Sequence, residues 1–520
     1  MLATERTVEG ACLYGRVYDV AIIGGGITGT AVARDAAGRG LSVFLCDEDD
    51  LGGASAASVT SVFGGIEHLA KLNFAAMREA VAEREILTRA APHLARPLTI
   101  VIPHHERQWP LPALRLGLFA LDHAAASTLQ RARTVALDRL PEGPLQQHFT
   151  HGVAYSDCAA DNGRVALHNA MDARARGAEV FPRLRCTIAE RDGGEWHLSL
   201  ESARGDRFVV SAAMLVNAGG GRAADVLNHV AHGSVQVRVR LSRHTWLAVR
   251  HPAFGDTAYA LPSADGQIVY ALPFEGDTLL LGPVTSPYDG DPAVARVERS
   301  DVLYLADITE QYFRVPLAAA DIVRSFVQVS ALPSEQSALA KGGGAIVVDD
   351  PPLVAPLISV FGGTFAVHRR LAEDVVDRMG RYRPIEPGWT REAVLPGGGY
   401  PAGGERDIAR ALSVAYPFIS ENHAARLVRA YGTRASAVLT GARCASDLGQ
   451  RFGADLTEAE VRYLCDEEWA QTAEDVLWRR SRMGASVNAA GAAVLEGWFG
   501  AGKDAPVGGR LVDESRETAF

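Results

Sequence analysis

At 520 residues the chain is longer than one ordinary domain, and two or three are expected. Its 48% hydrophobic and 22% charged composition is that of a globular protein, and a net charge of −10 argues against nucleic acid, which needs a basic face. The same charge argues, more weakly, against electrostatic docking on anionic lipid.

The opening stretch MLATERTVEGACLYGRVYDV lacks the basic region and apolar core of a signal peptide, and no run of 18 apolar residues follows anywhere. YDVAII (18–23) then reads as a short buried strand, GGGITG (24–29) as a tight turn, and ITGTAVARDAAGRG as a small-residue helix. Gly24, Gly26 and Gly29 supply GxGxxG in the strand–turn–helix setting the motif requires. The first allows the turn, the second lets backbone approach a pyrophosphate, and the third lets helix and strand pack. The helix N-terminus would face the phosphates. LSVFLC (41–46) is the second strand, and Asp47 ends it 23 residues after Gly24, placed to accept hydrogen bonds from a ribose. These five features together point to a dinucleotide site.

Small residues in DEDDLGGASAAS, Ser55 among them, favour FAD over NAD, because they let backbone and hydroxyls approach pyrophosphate and flavin. Two later segments read the same way. LVNAGGG (215–221) is a strand ending in a glycine turn through Ala218 and Gly219. LISVFGGTFAVHRRLAE (357–373) is a strand, a turn at Gly362, Gly363 and Thr364, and an amphipathic helix whose N-terminus can face the ring.

Between these lie SVTSVFGGIEHL (58–69), with Glu67 and His68 beside a Gly-Gly turn, and RLSRHTWLAV (240–249). Strand alternation puts His244 and Trp246 on one face of the latter. His368 opens the helix after the late glycine turn. Glu67, His68, His244, Trp246 and His368 are the candidate catalytic or substrate-facing residues, a histidine being suited to take a proton. HHER (104–107) has no partner spacing for a metal, and no metal is expected. The six cysteines are scattered without a CxxC pair, which suits a reducing cytoplasm and offers no disulfide framework.

Together these segments resemble the FAD-dependent glycerol-3-phosphate dehydrogenases over nearly the whole chain. EAVAEREIL (79–87), YSDCAADNGRVALHNA (155–170), SVFGG (359–363), WTREAVLPGG (389–398), YGTRASAVL (431–439) and EVRYLCDEEWAQTAEDVLWRRSRMG (460–484) carry the likeness. The resemblance implies an α/β fold: a Rossmann-like FAD-binding domain of the glutathione-reductase and D-amino-acid-oxidase type, a mixed-sheet substrate domain and a helical C-terminal domain. The expected boundaries are 18–85, 150–225 and 340–385 for the FAD-binding domain, whose parallel sheet is covered by helices. The substrate domain takes 86–149 and 226–339, the helical domain 386–505, and a tail 506–520.

The family's substrate ligands do not carry over. Phe63 stands where the family has a His, Glu67 where it has an Arg, and Trp246 where it has its catalytic-type His. Ser330 of QVSAL replaces another Arg, Thr364 replaces a Lys, and 366–368 read AVH in place of TTY. A phosphate held by such cations draws on charge-assisted bonds worth about 1.5–3 kcal/mol each. A chain that keeps the cofactor motifs while losing these ligands reads as re-purposed. The expectation is a cytoplasmic, non-covalent FAD oxidoreductase acting on a C–H bond beside O or N of a small molecule not phosphate-anchored by Arg, in specialised natural-product-type metabolism. Two alternatives stand: a genuine glycerol-3-phosphate dehydrogenase giving dihydroxyacetone phosphate, and a non-catalytic flavin-binding or scaffold protein. Membrane association is not indicated, and a homodimer is left open.

Overall fold

A computed structural model describes residues 16–53, 66, 73–104, 111–123, 129–137, 143–235, 237–250, 257–275, 277–334, 344–351 and 354–501, with backbone pairing at 7–8, 11–12 and 61–62. Val20–Ile23 reads VAII and is buried on both faces, the signature of a central parallel strand. It stands within a six-stranded sheet ordered Glu179–Phe181, Val43–Cys46, Val20–Ile23, Leu215–Asn217, Leu357–Gly362, Gly344–Asp349. All neighbours are parallel except the last pair, which is antiparallel.

One face of this sheet carries the helices Ile27–Gly38, Asn162–Ala175 and His368–Met379, which bury Val32, Ala36, Leu167, Met171, Val375 and Met379 against it. The expected helix cover is thus provided mainly on this face, with only the short helical stretch through Ala223, Val226 and Leu227 on the other face. That other face is packed by an antiparallel sheet of Leu184–Asp192, Glu195–Ser202 and Arg207–Ala212, with Val17–Tyr18 at its edge. The reason is local: Trp196, Leu198 and Leu200 alternate with less buried residues at period two and point inward with Phe208 and Val210. Gly193 (φ +59°) and Gly205 (φ +84°) supply the turns.

A second, nine-stranded mixed sheet runs Ile322–Pro333, Val239–Arg250, Thr278–Tyr288, Ile268–Pro273, Ala258–Pro262, Ala95–His104, His151–Ala160, Ser61–Val62, with Arg133–Ala136 also pairing to His151–Ala160. The helix Arg299–Tyr312 covers one face through Leu305, Ile308 and Tyr312. On the opposite face Trp246, Ala248, Tyr270 and Phe326 form one cluster with Met77, Val81, Leu114 and Leu118 of the helices Phe74–Ala90 and Leu111–Asp122.

Residues beyond 400 form a helical unit around Leu427, Val428, Val461 and Leu464, built from Glu405–Ala415, Glu421–Tyr431, Glu458–Glu468 and Ala489–Ala501. Trp469, in the left-handed region at φ +55°, caps the third of these and inserts into the nucleotide domain's helix-side core. Buried ion pairs reinforce the docking, with Arg164 on Glu468 and Arg480 on Asp50. No helix among the described residues is long and apolar enough to cross a membrane.

Candidate cofactor and substrate site

The glycine turn has the geometry a dinucleotide needs. Gly24 has φ +114°, and a Cβ there would lie 2.4 Å from the Ala218 carbonyl oxygen. At Gly29 a Cβ would lie 1.8 Å from the Gly24 carbonyl oxygen, so helix and turn touch backbone to backbone. Gly26 is the N-cap of Ile27–Gly38, with no side-chain cap and no acid in the first turn. A helix start of this kind favours an anion in front of it. Asp47 closes the loop: its Oδ2 accepts from the Gly25 amide at 2.5 Å and its Oδ1 from the Asp49 amide at 2.7 Å. Burial raises its pKa to about 6 in spite of these two bonds. A carboxylate has about four lone-pair sites, so two bonds leave room for a ribose diol.

The next two glycine turns sit beside this one because their strands do. Leu215–Asn217 pairs with Val20–Ile23 on one side and Leu357–Gly362 on the other, which brings the Ala218–Gly219 turn and the Gly362–Gly363 turn to the same sheet edge. Gly362 (φ +67°) and Gly363 (φ +90°) are left-handed, and Thr364 caps the following turn without a side-chain bond. Asn217, which no sequence motif marks, ties the second of these turns to the strand that leads into the third. Its Nδ2 donates to the Ala223 carbonyl at 2.7 Å and to Ser359 Oγ at 3.3 Å, while its Oδ1 accepts from the Gly219 amide at 3.1 Å. An uncapped helix start, a carboxylate with spare acceptor capacity and three glycine turns in line fit FAD.

The mixed sheet presents its edge strand, Ile322–Pro333, to this site. A Cβ at Gly221 would meet the Val329 carbonyl oxygen at 2.8 Å, so Ser330 adjoins the glycine turn. On the neighbouring strand Ser242 is directly opposite it and His244 lies diagonally from it. Its Nε2 is 2.9 Å from Ser330 Oγ, and its Nδ1 is 3.1 Å from Thr285 Oγ1 on the third strand. Burial lowers the His244 pKa, which keeps the ring neutral at pH 7. Trp246 follows on the same face but is buried with Phe326 and Tyr270, as an apolar wall. The other face of the strand is occupied by Arg243 and Thr245, both bonded to Asp301 at 3.1 Å and 2.7 Å.

His368 is not brought to this group. It is buried beneath Phe365, with ring centroids 5.1 Å apart, and its Nδ1 is 2.7 Å from the Phe365 carbonyl oxygen. Burial lowers its pKa to about 4, and it lines a cavity with Arg34, Glu83, Asn169 and Arg369 in the helix layer. Ser55, Phe63, Glu67 and His68 lie outside the described residues, although Ile66 is described and packs into the cluster of Trp246 and Phe326.

Among the described residues, four arginines of the surrounding elements are committed to acids. Arg222 pairs with Glu48 and Asp225, Arg243 with Glu298 and Asp301, Arg324 with Glu474, and Arg369 with Glu83.

Comparisons with known proteins agree with this geometry. The family described as "FAD dependent oxidoreductase" matches residues 19–350, and the "C-terminal domain of alpha-glycerophosphate oxidase" matches residues 389–499. A glycerol-3-phosphate dehydrogenase of Pseudomonas aeruginosa is 38% identical over 482 residues, covering 90% of this chain and 92% of that protein. A D-erythritol 1-phosphate dehydrogenase of Brucella abortus is 36% identical, covering 92% of this chain and 97% of that one. Among solved structures, the glycerol-3-phosphate dehydrogenase of Bacillus halodurans complexed with FAD superposes with a TM-score of 0.71 at 22% identity, over 91% of this chain and 87% of that one. The chain therefore belongs to the FAD-dependent oxidoreductases of the glycerol-3-phosphate dehydrogenase type.

Proposed function

We propose that this flavoenzyme oxidises a C–H bond beside oxygen or nitrogen in a donor that is not held by a phosphate-binding set of arginines, and so a donor other than glycerol 3-phosphate. The observation that carries the reading is the neutral cluster His244–Ser330–Thr285 on the strand adjoining the glycine turn, with Ser330 at a position where the resemblance implies an arginine. FAD, when bound, supplies the hydride acceptor. For an alcohol donor, the Ser330 hydroxyl takes the donor's hydroxyl proton and passes its own to His244 Nε2 as the C–H electron pair leaves as hydride, and a carbonyl is left. Ser330 and Thr285 hold the imidazole in place. Trp246 and Phe326 exclude water from the donor's apolar side. Glu67, adjacent in sequence to Ile66 of the same cluster, is proposed as a further ligand, favouring a donor with a hydroxyl, an N–H or a cationic amine.

A second reading, a polyol-phosphate dehydrogenase, draws on the relatives' names and on Arg240. That residue is exposed on the His244 face of the strand, four positions earlier. At roughly 3.3 Å per residue it stands about 13 Å from His244 along the strand, so one arginine at the far end of the donor would replace the set of cations that the resemblance implies.

Anaerobic titration separates the two. Glycerol 3-phosphate at millimolar concentration should leave the flavin oxidised, whereas an unphosphorylated polyol or amine donor bleaches it. Rapid bleaching by micromolar glycerol 3-phosphate would establish the second reading, and Arg240→Ala should then abolish it.

A further inference from the structure

Asp50 lies three residues beyond Asp47, with its side chain fully shielded from solvent. Both Nη atoms of Arg480, in the C-terminal unit, donate to its two oxygens at 2.7 Å. Arg480 is itself fixed, for its Nε donates to the Glu468 carbonyl at 2.9 Å. Around this pair, Arg183 reaches Asp475 through two bonds of 2.8 Å and 2.9 Å.

The loop that Arg480 grips also carries the ribose-facing acid. On its inner side the Gly52 amide donates to the Gly25 carbonyl at 2.9 Å, and the Asp47 carboxylate accepts from the Gly25 amide. On its outer side the Arg183 amide donates to the Asp49 carbonyl at 2.9 Å. The residues from Asp47 to Gly53 thus bridge the glycine turn and a side chain 430 positions later. A buried ion pair adds little net stability over an apolar pair of the same shape, because desolvation offsets the attraction. What a two-bond pair does supply is a fixed position.

We propose that Arg480 is a positioning residue for the cofactor: through Asp50 it sets the Asp47–Gly53 loop against the glycine turn, and so couples FAD binding to docking of the C-terminal unit. Linkage makes the coupling reciprocal. If docking tightens FAD, FAD must suppress opening of the docked segment by the same factor.

The test uses the full chain stripped of flavin and titrated with FAD, read by flavin fluorescence and by hydrogen exchange of amides 458–480. Arg480→Met should weaken FAD by about tenfold or more, within the usual range of coupling between sites. Asp50→Asn, which also loses Arg479 at 3.5 Å and Arg183 at 4.0 Å, should be at least as poor as Arg480→Met, and the two combined no worse than Asp50→Asn alone. In the wild-type chain FAD should slow exchange across 458–480, and Arg480→Met should remove that effect. Where Arg480→Met fails to fold, Arg480→Lys keeps the charge but loses the two-bond grip and should bind FAD with intermediate affinity. FAD affinity unchanged in the variants, with only the thermal stability of the flavin-free chain lowered, overturns the proposal. So does wild-type exchange across 458–480 that is indifferent to FAD.

Discussion

His244 gains its character from what surrounds it. Two neutral hydroxyls face its nitrogens, burial holds its pKa below 6.5, and the nearest arginine in sequence, Arg243, is turned to Asp301 on the opposite face. Once a donor is found, flavin reduction should be flat above pH 6.5 and should fall as pH drops through the lowered His244 value, because only the neutral ring accepts a proton. His244→Gln keeps hydrogen bonding but should slow reduction by about a hundredfold or more and erase the acid limb. A limb that survives the substitution would assign the titration to another group. Adjacent residues carry different lessons. The four acids Asp47 to Asp50 read alike as a run, yet one meets the glycine turn, one pairs with Arg222, one is exposed and one is buried on Arg480. Only Asp47 was legible, because only its distance from the glycines is fixed by a strand–turn–helix motif. Asp50 depends on a partner brought from the far end of the chain.

The strand–turn–helix of 20–38 is the element whose structure follows most directly from its residues. β-Branched strand, glycine contacts and alanine-rich helix all demand the same packing. Gly29→Ala would place its new carbon in the Gly24 carbonyl oxygen, at 1.8 Å, and the helix start must move to relieve it. The variant should purify colourless or with far less than one flavin per chain, which absorbance at the flavin bands will show. Elements governed by a single motif were readable, and those set by tertiary company were not. The hairpins of 184–212 alternate plainly, but nothing local says that they will cover most of the nucleotide sheet's second face. His368 opens a helix beside a glycine turn, which suggested a place at the flavin. The first turn of that helix instead points it at Phe365 and into the layer shared with Ile27–Gly38.

Across the whole molecule, the C-terminal unit is joined to the nucleotide domain by charge as well as by Trp469. Burial alone would raise Asp50 and Glu460, but Arg480 holds the first and Arg426 the second below the ordinary carboxylate values of 3.8 and 4.5. Carboxylates whose folded values are lowered contribute stability that is complete above those ordinary values and is lost as pH falls through the lowered ones. Acid titration should therefore weaken the C-terminal unit in two stages, first below about pH 6.5 as the buried, neutral His423 resists protonation, then below about pH 4 as the paired carboxylates are lost, seen as loss of helical circular dichroism. His423→Gln should remove the first stage and leave the second. The strand order has one further consequence, in time. Val20–Ile23 and Val43–Cys46 are made early, yet their sheet is continued by Leu215–Asn217 and Leu357–Gly362, and Trp469 seals its helix side. At about 5–20 residues per second on the ribosome, the first glycine turn waits roughly 20–70 seconds for its last neighbouring turn to emerge. Through that interval the nascent chain carries a half-built, strongly apolar sheet, a surface of the kind that aggregates when exposed, well before it can hold a flavin.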